Sequence, residues 1–340
     1  MNKSSIAVLF LFVLMTSCKS DKEKDTDVRI NREILASLGT APKKEFSKGL
    51  TIFKEQIAQD SMNVDAYLGL AETNILLFAF GLESRDNTIS EALLASEKAY
   101  VLDSLNTDVQ KLSAKLHFLN KEWEKAEMAF LKSIEANPEN LDARHWYSLL
   151  LMATKRIDEA FAQSEIIMSK DVNGDFLIAR ASLLYFQYRF EEMKPLMYKA
   201  IEKDSTIPWT YDWLGMAYNG LNEHNKSIET YIKAFELSDG TVEVGGGLGH
   251  ALALGGETKL AKQMADYYHT ASKDNYLPPV QRSFIHLGLA EYDEAIALLE
   301  QAYEEESWFL IFMQIEHWYD PIREDQRFKD IMDKMNFPRP

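Results

Sequence analysis

The sequence predicts an all-α protein made of stacked helix pairs, because small residues recur at a fixed interval along most of the chain. Most of these residues stand 34 positions apart, and two complementary halves of one repeat motif fall within the same period. The small residues are Ala126, Ala160, Ser227, Ala261 and Ala295. The one longer gap predicts a degenerate unit with Met193 in the small-residue position. Since a single helix pair cannot bury its apolar face, we expect the pairs to stack into an α-solenoid.

Two segments carry the motif halves. The stretch "WEKAEMAFLKSIEANPEN" (123–140) fits the pattern A-x3-F…P, and "YDWLGMAYNG" (211–220) fits an aromatic residue followed by x2-L-G-x2-Y. In both features the sequence resembles the tetratricopeptide repeats. The resemblance extends over about residues 30–309. It implies about eight repeats in a right-handed superhelix, with the first helix of each pair on the concave side.

The remaining repeat units are predicted in chain order from the same positions. The stretch "FSKGLTIFKEQIAQDS" (46–61) resembles the second helix of an opening unit, and an enlarged loop, "FGLESRDNT" (80–88), precedes the second helix of the next. Gly245–Gly247 predict a loose or closely packed helix start, since glycine is unfavourable inside helices. Large aromatic residues should fill the core opposite the small ones. They are Trp123, Phe130, Tyr218 and Tyr231.

Residues 1–17 have the layout of an export signal, with Lys3 followed by the apolar run Ile6–Met15. This run is too short to span a bilayer. It ends at Thr16-Ser17-Cys18, which holds the only cysteine and resembles the lipobox of bacterial lipoproteins. The resemblance implies lipidation of Cys18 and an outer-membrane lipoprotein of the cell envelope, facing the periplasm or the surface. The alternative is an ordinary cleaved signal in which Cys18 has no role.

Residues 18–29 form a short charged stretch that cannot bury apolar surface, and we expect a solvated tether. It resembles the export tags that follow the lipidated cysteine in Bacteroidetes surface lipoproteins. A plain spacer would have the same composition, so both interpretations stay open.

Residues 310–340 carry a second resemblance, to the segment that closes tetratricopeptide arrays attached to bacterial winged-helix regulators, adenylate cyclases and protein kinases. The string Asp320–Phe328 follows that pattern except at Gln326, where proline is usual. Asp320 and Asp325 are expected to cap short helices. An apolar stripe should then cover the last repeat. The stripe consists of Phe328, Ile331, Met332 and Met335.

Composition and motifs argue against several kinds of chemistry. The formal net charge of −16 disfavours nucleic-acid binding. The glycine-rich stretch "VGGGLGHALALGG" lacks the preceding strand and the lysine of a phosphate-binding loop. The seven histidines are dispersed without metal-ligand spacing, so no metal and no cofactor is expected. A Ser-His-Asp constellation stays open, because its members meet only in space.

The tetratricopeptide resemblance implies that a ligand would contact particular positions of the first helices. Candidate groove residues at these positions are Lys111, Lys115, His145, Tyr185, Trp209, Asp212 and His250. Aromatic and charged side chains together suit a protein or peptide partner. A solvated inner wall without a ligand is the alternative, and the loop at Glu83–Thr88 is the next candidate surface.

We therefore expect a non-enzymatic scaffold or adaptor that is anchored by its N-terminal lipid and holds a protein partner at the cell envelope. A surface glycan-binding lipoprotein on the same scaffold is a second hypothesis, although such proteins recognise glycans through long inserted loops. An enzyme is the third hypothesis. It would require a cleft that gathers several titratable groups with strongly shifted pKa values.

Overall fold

The structure is a computed structural model that describes residues 40–79, 81–171, 174, 176–238 and 240–338. The predicted signal peptide, Cys18 and the charged tether lie outside the described residues. Within these ranges the chain is an α-solenoid of sixteen α-helices without strands. No helix in this part of the chain is both long and apolar enough to cross a membrane.

Seven consecutive helix pairs follow one opening helix. The first helices of the pairs are α2 (Val64–Ala79), α4 (Thr107–Leu119), α6 (Leu141–Ala153), α8 (Leu177–Tyr185), α10 (Pro208–Gly220), α12 (Val242–Leu254) and α14 (Pro279–Gly288). The opening helix is α1 (Thr40–Gln59), and the second helices of the pairs are α3 (Arg85–Leu102), α5 (Trp123–Ala136), α7 (Ile157–Lys170), α9 (Phe190–Lys203), α11 (His224–Leu237), α13 (Thr258–Ala271) and α15 (Tyr292–Glu304). Two 3-10 turns, Trp308–Phe312 and His317–Ile322, lead to α16 (Gln326–Lys334).

The small-residue positions are fully buried between the helices of six repeats. Among the six second helices α5, α7, α9, α11, α13 and α15, five carry alanine or serine at this position, and α9 carries Met193. All six side chains are 0% exposed. Glycines on the first helices face aromatic side chains in the same way. A Cβ atom at Gly69 would lie 2.3 Å from Phe53, and one at Gly215 would lie 2.7 Å from Tyr231. These contacts agree with the repeat positions read from the sequence for α5 to α15, and Phe53 of α1 packs on the first helix that follows it.

The turn inside each of the last six pairs contains one residue with a left-handed backbone. These residues are Lys121, Lys155, Tyr188, Asn222, Gly256 and Ala290. Left-handed conformation favours glycine or asparagine, yet only two of the six positions hold them. The recurring turn therefore comes from the packing of the two helices and is not signalled by the local sequence.

Three of the four aromatic residues predicted to lie in the core are buried: Trp123, Phe130 and Tyr231. The prediction is wrong in degree for Tyr218, which is partly exposed and whose hydroxyl lies 2.6 Å from that of Tyr198 at the surface. The ammonium groups of Lys194 and Lys226 lie over the Tyr218 ring. They cover it only in part, and the ring keeps contact with water.

The glycine cluster lies within α12, where the helix is packed tightly on several sides. A Cβ atom at Gly246 would lie 2.3 Å from the backbone oxygen of Gln281, and one at Gly247 would lie 2.5 Å from Tyr231. At Gly245 the Tyr268 hydroxyl occupies the space that a side chain would need. Of the two interpretations that the sequence left open, close packing is the correct one.

The two ends of the array meet. Gly81, in the enlarged loop after α2, lies against Glu243 of α12 and Pro278. Arg85 at the start of α3 forms a 2.5 Å ion pair with Glu306, which follows α15. Thr88 is buried in the same region. The enlarged loop, expected as an alternative binding surface, is therefore partly engaged in closing the solenoid on itself.

The C-terminal segment confirms one capping prediction and corrects the other. Asp325 caps α16 by accepting a hydrogen bond from the backbone N–H of Arg327 at 2.9 Å. Asp320 is not a cap, because it accepts hydrogen bonds from Arg323 and Tyr188 instead. The second 3-10 turn is capped by Glu316, which accepts from the N–H of Trp318 at 3.1 Å. The apolar stripe of α16 is largely buried, as expected.

Candidate functional site

Residues 308–322, called here the interior segment, pack against first helices along the inner surface. Trp308 lies against Phe118 of α4 and Trp146 of α6, with ring centroids 5.3 Å and 5.8 Å apart, and the residues that follow fill the C-terminal half. The Tyr185 hydroxyl of α8 donates a 2.7 Å hydrogen bond to Glu316. The His250 ring of α12 stacks on Trp318, with centroids 4.1 Å apart and planes 18° apart. Phe186 stacks on Phe312 in the same manner. The chain's own residues thus lie where a ligand of a solenoid is expected.

This filling corrects the expected exposure of Tyr185 and His250, and two further candidates, on α10, are buried or partly buried. Tyr185 is 1% exposed, His250 is 6% exposed and Asp212 is also buried, while Trp209 is partly buried. They line the inner wall, as their positions in the repeat predicted, but the wall is not an open groove here. The physical reason is the apolar character of the interior segment, whose Trp308, Leu310, Ile311 and Trp318 side chains all lie in the core.

The filled half contains ionisable groups whose pKa values are strongly shifted. Burial, together with nearby Glu243, raises the pKa of Asp212 to about 8, and burial raises that of Glu243 to about 7. Burial, with repulsion from His317 and His224, lowers the pKa of His250 to about 3. The neutral ring then lies 3.0 Å from the Asn219 amide nitrogen. The carboxyl groups of Asp212 and Glu243 and the His250 ring thus lie buried within the filled half.

The N-terminal half of the inner surface carries a different arrangement, called here the inner charged patch: Glu72, Asp108, Lys111, Lys115 and Asp142. Lys115 Nζ lies 3.0 Å from carboxylate oxygens of both Glu72 and Asp142 and 4.8 Å from the centre of the Trp146 ring. Lys111 Nζ bridges Asp108 at 3.0 Å and Asp142 at 3.2 Å. The network joins α2, α4 and α6 across three repeats.

The patch is recessed but not covered. The Lys115 side chain is 5% exposed, whereas the side chains of Asp142 and Asp108 are 42% and 56% exposed. Burial alone would raise the pKa of Asp142, but the charges of Lys115 and Lys111 outweigh it and the pKa is lowered. Likewise the acidic neighbours raise the pKa of Lys111 against the effect of burial. With three carboxylates and two ammonium groups, the patch has a net negative charge that can accept a cationic side chain.

His145 lies beside the patch at the N-terminal part of α6. Burial lowers its pKa to about 4, so the ring is neutral at physiological pH. Its edge faces Phe176, with centroids 5.8 Å apart. Of the seven candidate residues, the structure therefore brings Lys111, Lys115 and His145 together at the open half and places the other four in or beside the filled half.

Two important residues were not anticipated. Glu72 is the ninth residue of α2, as Lys115 is the ninth residue of α4, so extending the same projection one repeat earlier would have found it. Glu316 lies outside the repeats, and no periodic signal points to it. Among the described residues no group of three or more His, Cys, Asp or Glu side chains could hold a metal ion.

Comparison with known proteins agrees with this architecture. The tetratricopeptide repeat family profile matches residues 210–240. A search of curated protein sequences finds no match. Structural similarity extends to the APC/C hetero-tetramer Cut9-Hcn1, with a TM-score of 0.58 and 12% identity, over 86% of this chain and 52% of that chain. This chain thus spans about half the length of that relative.

A second similar structure is a tetratricopeptide repeat protein from Parabacteroides merdae ATCC 43184. Its TM-score is 0.51 at 16% identity, and the match covers 76% of this chain and 98% of that one. At such identities the similarity concerns the fold alone. The helix pairs, the buried small-residue positions and the matched repeat lead to the same conclusion: the chain has the fold of tetratricopeptide-repeat proteins.

Proposed function

We propose that this protein is a lipid-anchored scaffold that holds a protein partner at the cell envelope. The tetratricopeptide-repeat fold supports the scaffold role, because stacked helix pairs present an extended surface to other proteins. The sole cysteine, placed directly after an apolar run and two small residues, supports lipidation of Cys18. A lipid at Cys18 would place the repeats at a membrane surface, which we infer to be that of the outer membrane.

The partner binds at the inner charged patch. The observation that carries this assignment is the accessibility of the patch: the interior segment covers Tyr185 and His250, whereas the side chains of Asp108 and Asp142 stay exposed. Because Lys111 and Lys115 already neutralise part of the acidic charge, the remaining accessible carboxylate favours a partner segment that presents lysine or arginine.

The experiment places a photo-crosslinking amino acid at Asp108 and identifies the protein captured in cells. For the substitution test the crosslinker is placed at Asp142 instead, so that Asp108 can be changed to lysine. Asp108→Lys should reduce capture at least tenfold, because it reverses the charge that meets the partner. Glu97→Lys is the matched control, since Glu97 is exposed on the second helix α3 and makes the same charge change away from the inner surface. Equal capture by the Asp108→Lys variant and the wild type would exclude this patch as the binding surface.

A separate experiment tests the anchor. Cys18→Ser should abolish incorporation of a radiolabelled or clickable fatty acid and leave either uncleaved precursor or a soluble protein. The repeats should stay folded in this variant, because Cys18 precedes them by more than twenty residues. Acyl label that persists on the substituted protein would contradict lipidation at this site, whereas the scaffold role would be unaffected.

A further inference from the structure

A pocket of about 350 Å³ opens between α13, α14 and α15, at the C-terminal end of the array. Apolar side chains, among them Ala265, Ile285 and Leu298, form its walls. The pocket is separate from the inner charged patch, which lies on α2, α4 and α6. Its volume is sufficient for a small organic group and lies at the lower end of the range for ligand pockets in proteins.

The pocket contains a buried cation without a direct partner. Arg282 lines the pocket and is 7% exposed. Among the described residues, no carboxylate lies within ion-pairing distance of its guanidinium group, and no hydrogen bond to it is formed. Glu305 acts on it only at longer range, and burial lowers the pKa of Arg282. Its guanidinium N–H donors therefore have no acceptor in the described part of the chain, and an anion in the pocket would supply one.

The Tyr268 ring forms part of the pocket wall, but its hydroxyl lies against Gly245 of α12 and does not face the pocket. Arg282 is therefore the donor that a ligand would meet. A carboxylate offers two oxygens, which matches the planar guanidinium fork of an arginine.

The other polar groups of the pocket limit the class of anion. Asp266 and Glu294 also line it, and the whole chain carries a formal charge of −16. A dianion such as phosphate would be repelled by these carboxylates more strongly than a single negative charge. We therefore propose that the pocket binds a monocarboxylate with a short apolar body, whose charged end meets Arg282 and whose tail lies against the aliphatic walls. This site is independent of the partner surface proposed above.

The test uses N-acetyl-leucine as the probe and N-acetyl-leucinamide as its uncharged counterpart, with binding followed by saturation-transfer NMR on the full chain. The acid should bind, and the amide should bind at least tenfold more weakly. Arg282→Met should weaken binding of the acid by the same factor. Ala297→Phe, at an exposed position of α15 that lines the pocket, should block it while leaving Arg282 intact. Arg180→Met is the control, because Arg180 is a recessed arginine paired with Glu165 elsewhere.

Several results would overturn the proposal. They are equal binding of the acid and the amide, no binding of the acid to the wild type, unchanged binding in both pocket variants, or displacement of the acid by inorganic phosphate at equal concentration. A peptide ending in leucine distinguishes two sources of the same chemistry. If it binds as the free acid does, the ligand is a peptide C-terminus; if only N-acetyl-leucine binds, the ligand is a small free acid, and either result supports the site.

Discussion

The two halves of the inner surface use equivalent repeat positions but meet different surroundings. Glu72, Lys115 and His250 are each the ninth residue of their helix. The first two pair with one another across the open half, whereas His250 lies under Trp318 in the filled half. A repeat position therefore predicts the direction in which a side chain points. It does not predict whether water, a partner or the same chain will cover it.

The largest expected effect concerns the contact that fills the second half. Trp318→Ala should lower the free energy of unfolding by about 3–5 kcal/mol, because it removes a buried aromatic side chain that packs on His250 and Phe284. Urea denaturation followed by circular dichroism measures this. Tyr100→Ala is the control, since Tyr100 is 54% exposed and should cost little. If the Trp318→Ala variant were as stable as the control, the packing of the interior segment on the inner wall would contribute little to the free energy of unfolding.

A pair of glycine substitutions tests whether packing differs between the two ends. Gly246→Ala should destabilise the protein by about 1–3 kcal/mol, because its Cβ would lie 2.3 Å from the backbone oxygen of Gln281, which cannot rotate away. Gly49→Ala should be neutral or stabilising by up to about 1 kcal/mol, because the nearest atom, on Thr73, lies at 3.9 Å. Thermal unfolding of both variants separates the cases. If Gly49→Ala destabilised the protein and Gly246→Ala did not, the expected difference in packing between the two positions would be wrong.

Opposite pH dependence should distinguish the halves. In the filled half the folded-state pKa values of Asp212 and Glu243 are raised to about 8 and about 7. Their contribution to stability is present in full below the ordinary carboxyl range and is lost as the pH rises from that range to about 8 for Asp212 and about 7 for Glu243, by at most about 1.4 kcal/mol per pH unit and group. In the open half the pKa of Asp142 is lowered, so its contribution is present at neutral pH and lost in acid.

Single substitutions show which carboxyl group causes the loss of stability at higher pH and which causes the loss in acid. Glu243→Gln should flatten the loss of stability between pH 5 and about 7, and Asp142→Asn should flatten only the acid limb. Denaturation midpoints measured from pH 3 to pH 9 provide the comparison. If the Glu243 variant keeps the full alkaline loss, the carboxyl group is not the buried neutral acid described here.

The smallest expected effect concerns the cap. Gln326→Pro should change stability by less than about 0.5 kcal/mol or raise it slightly, because Gln326 is the first residue of α16, where proline is tolerated. Asp325 before it is already extended, with φ −65° and ψ 133°, as a residue preceding proline must be. The loss is limited to the hydrogen bond from Gln326 to Asp330. A large fall in the melting temperature would show that this side chain matters more than its exposure suggests.

Several site features were predictable and others were not. Lys111 and Lys115 were selected from their repeat positions, and the structure places them in one network. The burial of Tyr185 and His250 was not predictable, because Glu316 and Trp318 lie outside the repeats and follow no shared period. Asp320 was expected to cap a helix on the basis of its local pattern, but Glu316 takes that role because Arg323 and Tyr188 engage Asp320.

The sequence by itself determined the helix pairs, their order, the small-residue positions and the apolar stripe of α16. These depend on helical periodicity and on the size of residues that are neighbours within one repeat unit. Only the tertiary structure decided that the two ends of the array meet, that the interior segment packs on the inner surface and that Arg282 lies at a pocket. Such features join residues far apart in the chain, as in the 131-residue separation of Tyr185 and Glu316, and no local pattern encodes them.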